Sequence, residues 1–423
     1  MSKIIINGGN KLEGEVKVSG NKNSALKLMA AAAMLDGVTI LENVPIIRDV
    51  DVMAEIMGDL GIGIEGLGTS TLKIDPKGLK THIIRRKLSG KIRTAPLLIA
   101  ALLHKYGKAK ISTPGGCSLG RRLLFTHLNM LRNMGADIEE EDSGFLITWK
   151  PKDVKCDVFL EEASVTATEL GLLMAAKNPY QTNISDAACE PHVRDLSELL
   201  NLAGAEIKGA GTNTLNIKGK KDLKAVKYCV SGDHIEAGSW AVASAVTGGD
   251  VTIGGVNKND LRMICAYFDH LGIKYDFPKK DSWKIYPSKL VFDGKLREFQ
   301  TRPWPGFPTD LMSPLIVLVT QARGTVICHD WMYEWRIFFV DDLISMGAKI
   351  VIADPHRVIV SGPSKLFGND MVCKDIRAGM AIVIAALAAK GKSTIDNVEV
   401  IERGYENLLG KLRKIGASID RVE

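Results

Sequence analysis

A loop rich in glycine and proline carries the clearest candidate for a reactive side chain. Residues 113–122 read TPGGCSLGRR, so the thiol of Cys117 lies beside Arg121 and Arg122. Cationic neighbours lower the pKa of a thiol and favour the thiolate, which is the nucleophilic form. A lone cysteine is more often an inert core residue, but the three flanking glycines and the two arginines indicate a reactive thiol on a loop.

Lys22 and Asp310 each lie where a loop meets the start of a predicted helix. Lys22 belongs to the segment VSGNKNS at residues 18–24, which precedes an alanine-rich stretch. There the backbone N–H groups and Lys22 could bind an anion, although an ordinary N-cap beside a solvated lysine fits equally well. Asp310 ends the segment RPWPGFPTD at residues 302–310, which three prolines stiffen. Asp310 therefore has either a chemical role or the role of a helix cap.

Arg377 and Arg403 add positive charge at the predicted edges of two later helices. They lie in the segments DIRAG at residues 375–379 and ERGYE at residues 402–406. A single arginine more often forms a surface ion pair. The scattered Arg and Lys residues, without a cluster of metal-ligand types, instead favour recognition of carboxylate or phosphate without a metal. We therefore expect neither a metal nor a cofactor.

An internal repeat indicates the elements that must position these residues. One short pattern, an apolar residue followed by Gly and then by an alternating stretch, recurs six times along the chain. Its glycines are separated by 68 to 75 residues: Gly61, Gly135, Gly204, Gly272, Gly347 and Gly416. A chain of 423 residues therefore consists of six copies of one unit of about 70 residues.

Each copy predicts a helix, a turn at the glycine and a strand. Most copies then show a second short strand, at residues 71–74, 145–148, 214–217 and 357–360. The sixth copy stops before this strand, and the first residues of the chain, KIIING at 3–8, have its pattern. We therefore expect the N-terminal strand to complete the last repeat.

A second predicted helix in each copy is apolar nearly all round, which is typical of a buried helix. These stretches are residues 28–35, 96–103, 170–176, 240–246, 315–320 and 381–389. The sequence thus predicts an α/β protein with helices inside and alternating strands outside. We expect two domains of three repeats each, one at 22–231 and one formed by 1–21 with 232–423. With these boundaries the chain passes from one domain to the other twice, which predicts a hinge. We expect a ligand to bind in the cleft between the two domains.

Composition excludes several other classes of protein. The longest apolar or glycine run, residues 378–389, is too short to span a membrane, and the first residues are too short for a secretory signal. Seven cysteines without a CxxC pair argue against a disulfide framework or a zinc ribbon. The net charge of +6 comes without basic runs interleaved with aromatics, so nucleic acid is not indicated. We expect a cytoplasmic protein with small anionic substrates, and the oligomeric state stays open.

Five motifs in order carry a resemblance to a known family. They are SGNKN at 19–23, PGGCSLGRR at 114–122, FPTD at 307–310, DIRA at 375–378 and ERGYE at 402–406. With the six repeats, they make the chain resemble the UDP-N-acetylglucosamine enolpyruvyl transferases along essentially its whole length. The resemblance implies a two-domain, inside-out α/β barrel. It also implies transfer of the enolpyruvyl group of phosphoenolpyruvate to a sugar-nucleotide hydroxyl, an early step of peptidoglycan synthesis.

The resemblance also implies roles for individual residues. Asp310 resembles the base that accepts the hydroxyl proton, and Cys117 resembles the acid of a mobile loop. The phosphate would be surrounded by Lys22, Arg122 and Arg403, and Arg377 would bind the carboxylate. The remaining substrate contacts implied by the match are Asn23, Arg93, Ser164, Val165, Glu190, Tyr333, Arg336 and Asp375.

The chain departs from the family pattern on the nucleotide side. Residues 122–127 read RLLFTH, without the usual proline and acidic residue, and Glu162 stands where a cation is common. Like charges near a diphosphate would weaken binding. Cys189, His234 and Trp335 also replace residues that are usual in the family. Either the nucleotide is bound differently or the acceptor is another hydroxyl compound.

Overall fold

The computed structural model describes residues 2–86, 90–112, 124–142, 144–151 and 155–422. The described residues form two compact units. The central unit contains residues from Gly20 to Ser231, and the terminal unit contains the residues up to Ser19 together with those from Gly232 onward.

Two kinds of α-helix alternate along the described chain. The helices are α1 (Lys22–Ala32), α2 (Arg48–Leu60), α3 (Leu98–Tyr106), α4 (Phe125–Asn133), α5 (Val165–Ala176), α6 (Pro191–Ala203), α7 (His234–Val246), α8 (Arg262–His270), α9 (Met312–Gln321), α10 (Val340–Ser345), α11 (Ile376–Ala388) and α12 (Leu408–Lys414). Odd-numbered helices are almost wholly buried; in α11, for example, every residue from Arg377 to Leu387 is buried. Even-numbered helices are amphipathic.

The strands are short and distributed evenly along the chain. They are β1 (Lys3–Gly8), β2 (Glu13–Lys17), β3 (Thr39–Glu42), β4 (Gly63–Glu65), β5 (Thr71–Asp75), β6 (Ile83–Ile84), β7 (Lys108–Ser112), β8 (Ala136–Glu141), β9 (Gly144–Trp149), β10 (Cys156–Phe159), β11 (Gln181–Ser185), β12 (Glu206–Lys208), β13 (Thr214–Lys218), β14 (Lys227–Cys229), β15 (Asp250–Gly254), β16 (Lys274–Lys279), β17 (Ser282–Tyr286), β18 (Glu298–Gln300), β19 (Gly324–His329), β20 (Lys349–Ile352), β21 (Arg357–Gly362), β22 (Asp370–Val372), β23 (Gly391–Asp396) and β24 (Ser418–Val422).

The strands form six four-stranded sheets with one common topology. The central unit has the orders β14-β3-β5-β4, β6-β7-β9-β8 and β10-β11-β13-β12. The terminal unit has the orders β2-β15-β17-β16, β18-β19-β21-β20 and β22-β23-β1-β24. In every sheet the first pair is parallel and the other two pairs are antiparallel. The first two strands of each sheet, which form its parallel pair, were not among the predicted elements.

The predicted architecture is confirmed within each unit. Buried helices lie inside and the alternating strands cover them, which is the expected inside-out α/β arrangement. The N-terminal strand β1 pairs with β23 and β24, opposing Ile4 to Ile395 and Ile6 to Ile419. The six repeat glycines all follow amphipathic helices and have φ between +71° and +117°, where a side chain would be strained.

The buried helices also determine where several predicted site residues lie. Lys22 is the first residue of α1, and Val165 is the first residue of α5. Asp310 comes just before α9, and Arg377 is the second residue of α11. Four predicted site residues are therefore at the N-terminal ends of buried helices. No helix in the described part of the chain combines the length and apolarity needed to cross a membrane.

Candidate functional site

Three predicted site residues of the terminal unit, Asp310, Arg336 and Arg377, lie in direct contact and form what we call the Asp310 cluster. Arg336 Nη1 donates to Asp310 Oδ1 at 2.7 Å. Arg377 donates to Oδ2 from Nε at 3.0 Å, and its Nη2 lies 2.9 Å from the same oxygen. The arginine side chains are 7% and 9% exposed, whereas that of Asp310 is 26% exposed. The carboxylate is therefore the most accessible member of the cluster.

Each member of the Asp310 cluster lies in the first two residues of a helical element. Asp310 lies inside the 3₁₀ turn Thr309–Leu311 that leads into α9, and it does not cap that helix. Arg336 begins the 3₁₀ helix Arg336–Phe339, directly after Trp335, whose φ is +67°. Asp375 caps α11, since its Oδ1 accepts from the backbone N–H groups of Arg377 and Ala378 at 2.9 and 3.0 Å. The predicted contact residue Asp375 thus orients Arg377 through the backbone.

Charge determines the protonation state of the cluster. Burial alone would raise the pKa of Asp310, but the charges and hydrogen bonds of Arg377 and Arg336 outweigh burial and hold that pKa well below its usual range. Burial would lower the pKa of both arginines, and the Asp310 carboxylate instead raises it. Asp310 is therefore ionised at neutral pH, and it is a weak proton acceptor while both arginines bind it.

Aromatic rings lie beneath both guanidinium groups. The Arg336 guanidinium carbon is 4.5 Å from the centroid of the Tyr333 ring, and that of Arg377 is 5.5 Å from Tyr405. The Tyr405 hydroxyl shares a 2.8 Å hydrogen bond with Ser239. Such cation–π contacts fix the plane of a guanidinium group. The predicted contact Tyr333 therefore packs against Arg336 of the cluster, and Tyr405, from the ERGYE motif, packs against Arg377.

His234 lies near the same cluster, and Arg403 belongs to the segment that leads to Tyr405. Arg403 is half-buried and ends the 3₁₀ helix Val398–Arg403, two residues before Tyr405. His234 is the first residue of α7, and burial lowers the pKa of its imidazole. His234 is therefore neutral near pH 7, so the residue that departs from the family pattern adds no positive charge here.

In the central unit, Lys22 has a partner that the sequence did not indicate. Its Nζ lies 2.6 Å from Oδ2 of Asp49, and both side chains are nearly buried. Asn21 caps α1 by accepting from Ser24 N–H at 3.1 Å, so Lys22 and Asn23 occupy its first turn. The acidic first turn of the amphipathic helix α2, which contains Asp49, was the feature of the sequence that could have indicated a carboxylate partner for Lys22.

The other predicted residues of the central unit occupy helix starts and a turn. Ser164 is the N-cap residue of α5 and Val165 its first residue, and Glu190 is the N-cap residue of α6. Arg93 is half-buried in the turn before the 3₁₀ helix Ala95–Leu97. Glu162, the departure from the family pattern, is exposed. Cys117 and Arg122 lie outside the described residues.

A second buried charge cluster in the central unit was missed from the sequence. Glu169 of α5 is fully buried, and its Oε1 lies 3.5 Å from Lys27 Nζ and 3.0 Å from His192 Nδ1. We call these three residues the Glu169 cluster. Burial raises the pKa of Glu169 to about 7 against the opposing charge of Lys27. An acidic residue in a helix without a polar face was the signal that could have identified it.

The described part of the chain has free thiols but no group of side chains that could bind a metal ion. The described cysteines are free thiols, namely Cys156, Cys189, Cys229, Cys265, Cys328 and Cys373. Burial raises the pKa of Cys189, Cys265, Cys328 and Cys373, which makes these thiols unreactive. Within the described ranges no group of three or more His, Cys, Asp or Glu side chains could hold a metal ion.

Known proteins resemble this chain over its full length. The family model for EPSP synthase (3-phosphoshikimate 1-carboxyvinyltransferase) matches residues 6–412. A protein of Treponema denticola named UDP-N-acetylglucosamine 1-carboxyvinyltransferase is 42% identical over 430 residues, which cover all of both chains. A protein of the same name from Borreliella burgdorferi is 41% identical over 427 residues, again covering both chains completely.

Solved structures agree with these sequence relationships. The enolpyruvyl transferase NikO from Streptomyces tendae has a TM-score of 0.87 at 25% identity, covering 100% of this chain and 99% of its own. EPSP synthase from Acinetobacter baumannii has a TM-score of 0.76 at 19% identity with complete coverage of both chains, which shows the fold alone. With full-length relatives above 40% identity and a family match across nearly all residues, the chain belongs to the enolpyruvyl transferases, a family of enzymes.

Proposed function

We propose that the protein transfers the enolpyruvyl group of phosphoenolpyruvate to the 3'-hydroxyl of UDP-N-acetylglucosamine and releases phosphate. The observation that carries this proposal is the Asp310 cluster, in which an accessible carboxylate lies between two buried arginines. That arrangement combines a proton acceptor with receptors for an anionic substrate. The names of the full-length relatives support this choice of acceptor, and no described contact favours another one.

The reaction needs an acid, a base and fixed positive charge. The acceptor oxygen bonds to C2 of phosphoenolpyruvate while C3 gains a proton, which gives a tetrahedral ketal. Loss of a C3 proton and cleavage of the bond between C2 and the phosphate oxygen then restore the double bond and release phosphate. Asp310 accepts the hydroxyl proton in this scheme, and Cys117 is the acid that assists proton transfer or phosphate departure.

Substrate binding would activate Asp310 as a base. With both arginines bound to it, Asp310 accepts a proton poorly. Two guanidinium nitrogens, Arg336 Nε and Arg377 Nη1, are buried without a hydrogen bond among the described residues. An unsatisfied buried donor costs about 1–3 kcal/mol, so an anion that draws these arginines toward itself satisfies them. The substrate carboxylate would take Arg377 from Asp310 and so raise the pKa of Asp310 toward its ordinary range.

The remaining predicted residues would bind the phosphate and the sugar nucleotide. Lys22, with Arg122 and Arg403, would bind the phosphate group. Asn23, Arg93, Ser164, Val165 and Glu190 would contact the acceptor. The free thiols of the described cysteines support a cytoplasmic location, where the product would enter peptidoglycan synthesis and so affect cell-wall growth, cell shape and division.

Phosphate release tests the proposed function directly. The purified protein should release phosphate from phosphoenolpyruvate only when UDP-N-acetylglucosamine is present, with one phosphate formed for each enolpyruvyl ether. Omission of either substrate is the control. A folded protein that binds both compounds and yet shows no turnover would reject this choice of acceptor.

The role of Cys117 has a separate test. Fosfomycin, an epoxide that mimics phosphoenolpyruvate, should alkylate Cys117 when the acceptor is bound, because a thiolate opens the epoxide ring. Mass spectrometry of the digested protein should find the added mass on the Cys117 peptide and on none of the six described cysteines. Intact Cys117 after prolonged exposure would remove it from the mechanism.

A further inference from the structure

Asp330 is a fully buried carboxylate of the terminal unit to which the proposed mechanism gives no role. It directly follows β19 and has 0% exposure. Its Oδ1 accepts from the hydroxyl of Thr301 at 3.1 Å and from the backbone N–H groups of Met332 and Tyr333 at 3.1 and 3.2 Å. Its Oδ2 accepts from the hydroxyl of Thr309 at 2.9 Å. One side chain therefore holds together three separate segments of the chain.

Those segments are the ones that carry the Asp310 cluster. Thr309 is the residue immediately before Asp310, so its hydrogen bond fixes the start of the turn that presents the catalytic carboxylate. The N–H groups of Met332 and Tyr333 belong to the turn that leads to Arg336. Asp330 thus sets the separation between the base and one of its arginines.

Arg336 lies between two carboxylates. Its Nη1 is 2.7 Å from Asp310, and its Nε is 3.9 Å from Oδ2 of Asp330, beyond hydrogen-bond distance. The Arg336 side chain is 7% exposed, and a buried charge that loses its counter-charge is strongly destabilised. When Asp310 gives up Arg336 to act as a base, Asp330 is the other described carboxylate paired with that arginine.

We propose that Asp330 is a positioning residue that keeps Arg336 ionically compensated and correctly placed while Asp310 exchanges its arginines for substrate. This inference rests on the proposed function. Asp330 does not touch the reacting atoms. It acts through Arg336 and Thr309, and its charge, rather than its hydrogen-bonding shape alone, is required.

Asp330→Asn removes the charge but keeps the size of the side chain, and its amide oxygen can still accept hydrogen bonds from Thr301 and the backbone. We expect the KM for phosphoenolpyruvate to rise on the order of tenfold, the KM for the sugar nucleotide to stay within about twofold, and the loss in kcat to be smaller than the change in KM. Asp330→Glu, which restores the charge, should recover part of the loss. The matched control is Asp354→Asn, a neutralised aspartate that bonds Arg357 in the neighbouring β20–β21 turn.

A readout independent of turnover distinguishes failure of this inference from failure of the proposed function. The Nε–H resonance of Arg336 in a ¹⁵N-arginine spectrum, assigned by its loss in Arg336→Lys, should shift in Asp330→Asn and stay in place in Asp354→Asn. If Asp330→Asn does not fold, Thr309→Val, which removes one hydroxyl donor to Asp330, should still shift that resonance. An unmoved resonance, or a KM for phosphoenolpyruvate equal to that of the control, would overturn the inference, whereas wild-type protein without turnover would overturn only the proposed function.

Discussion

Two carboxylates, the partly exposed Asp310 of the terminal unit and the fully buried Glu169 of the central unit, show how basic neighbours can leave opposite protonation states. Both lie on or beside a buried helix, and both face basic side chains. The pKa of Asp310 is held well below its usual range, and that of Glu169 is raised to about 7. Burial raises the pKa in both cases, and only at Asp310 do the charged donors outweigh it.

Donor geometry explains the difference. Each oxygen of Asp310 accepts from its own arginine at 2.7–3.0 Å. In the Glu169 cluster, Lys27 and His192 approach the same oxygen, and Oε2 has no hydrogen bond among the described residues. Planar guanidinium groups deliver short, directed hydrogen bonds that an ammonium group at 3.5 Å does not. Two arginines on separate oxygens therefore overcome a desolvation cost that a lysine and a histidine on one oxygen do not.

The largest expected effect comes from removing the charge of Asp310. Asp310→Asn should leave the fold intact and lower the turnover number by about 10² to 10⁴, since an amide cannot accept the hydroxyl proton. Phosphate release with both substrates measures the change, and circular dichroism controls for folding. Turnover within a few-fold of wild type would exclude Asp310 as the base, and the contrast between Asp310 and Glu169 would then have no consequence for catalysis.

Glu169 should influence stability with pH and leave the chemical step alone. Its folded pKa of about 7 exceeds the ordinary 4.5, so between these values the folded state holds a proton that the unfolded state has lost. The free energy of unfolding should therefore fall as the pH rises from 4.5 to 7, by at most about 3 kcal/mol.

Glu169→Gln should abolish that decrease in stability, because an amide does not titrate. Denaturant unfolding of both proteins at several pH values measures it, with Glu206→Gln, an exposed strand residue, as the control. A wild-type profile that is flat, or that rises over this range, would contradict the raised pKa of Glu169.

Arg377→Lys should make Asp310 resemble Glu169. Lysine keeps the charge but removes the paired N–H donors that reach Oδ2. We expect the KM for phosphoenolpyruvate to increase about tenfold, equivalent to about 1.4 kcal/mol, because a point charge binds a carboxylate less specifically. Steady-state kinetics in both substrates measures it. An unchanged KM would show that the fork geometry of Arg377 does not contribute to binding.

Repetition made the fold predictable from the sequence. The glycines at 61, 135, 204, 272, 347 and 416 mark the same positive-φ position after a helix in all six repeats. The alternation in Lys3–Gly8 identified a strand that pairs with residues almost 400 positions away. Neither strand of the parallel pair in each sheet was predicted. A strand such as β14, with three residues, has too little alternation to be recognised, and its partner β3 comes from a different repeat.

Only those residues of the candidate site that belong to the family resemblance were predicted from the sequence. Asp310, Arg336 and Arg377 were identified through their resemblance to a family, and their mutual contacts join residues 26 and 67 positions apart. Asp49, Asp330 and Glu169 lie in no such motif. Their contacts are with residues that the fold brings close, and the sequence around each residue does not indicate those contacts.

The protonation of Asp310 with and without substrate tests the central claim most directly. Carboxyl ¹³C NMR, with the Asp310 and Glu169 signals assigned by Asp310→Asn and Glu169→Gln, would follow both groups over pH. We predict that in the ligand-free protein the titration midpoint of Asp310 lies well below that of an ordinary aspartate. Its midpoint should rise by more than one pH unit when UDP-N-acetylglucosamine and an unreactive analogue of phosphoenolpyruvate are bound. A midpoint that is the same in both states would contradict an Asp310 base that substrate releases from its arginines.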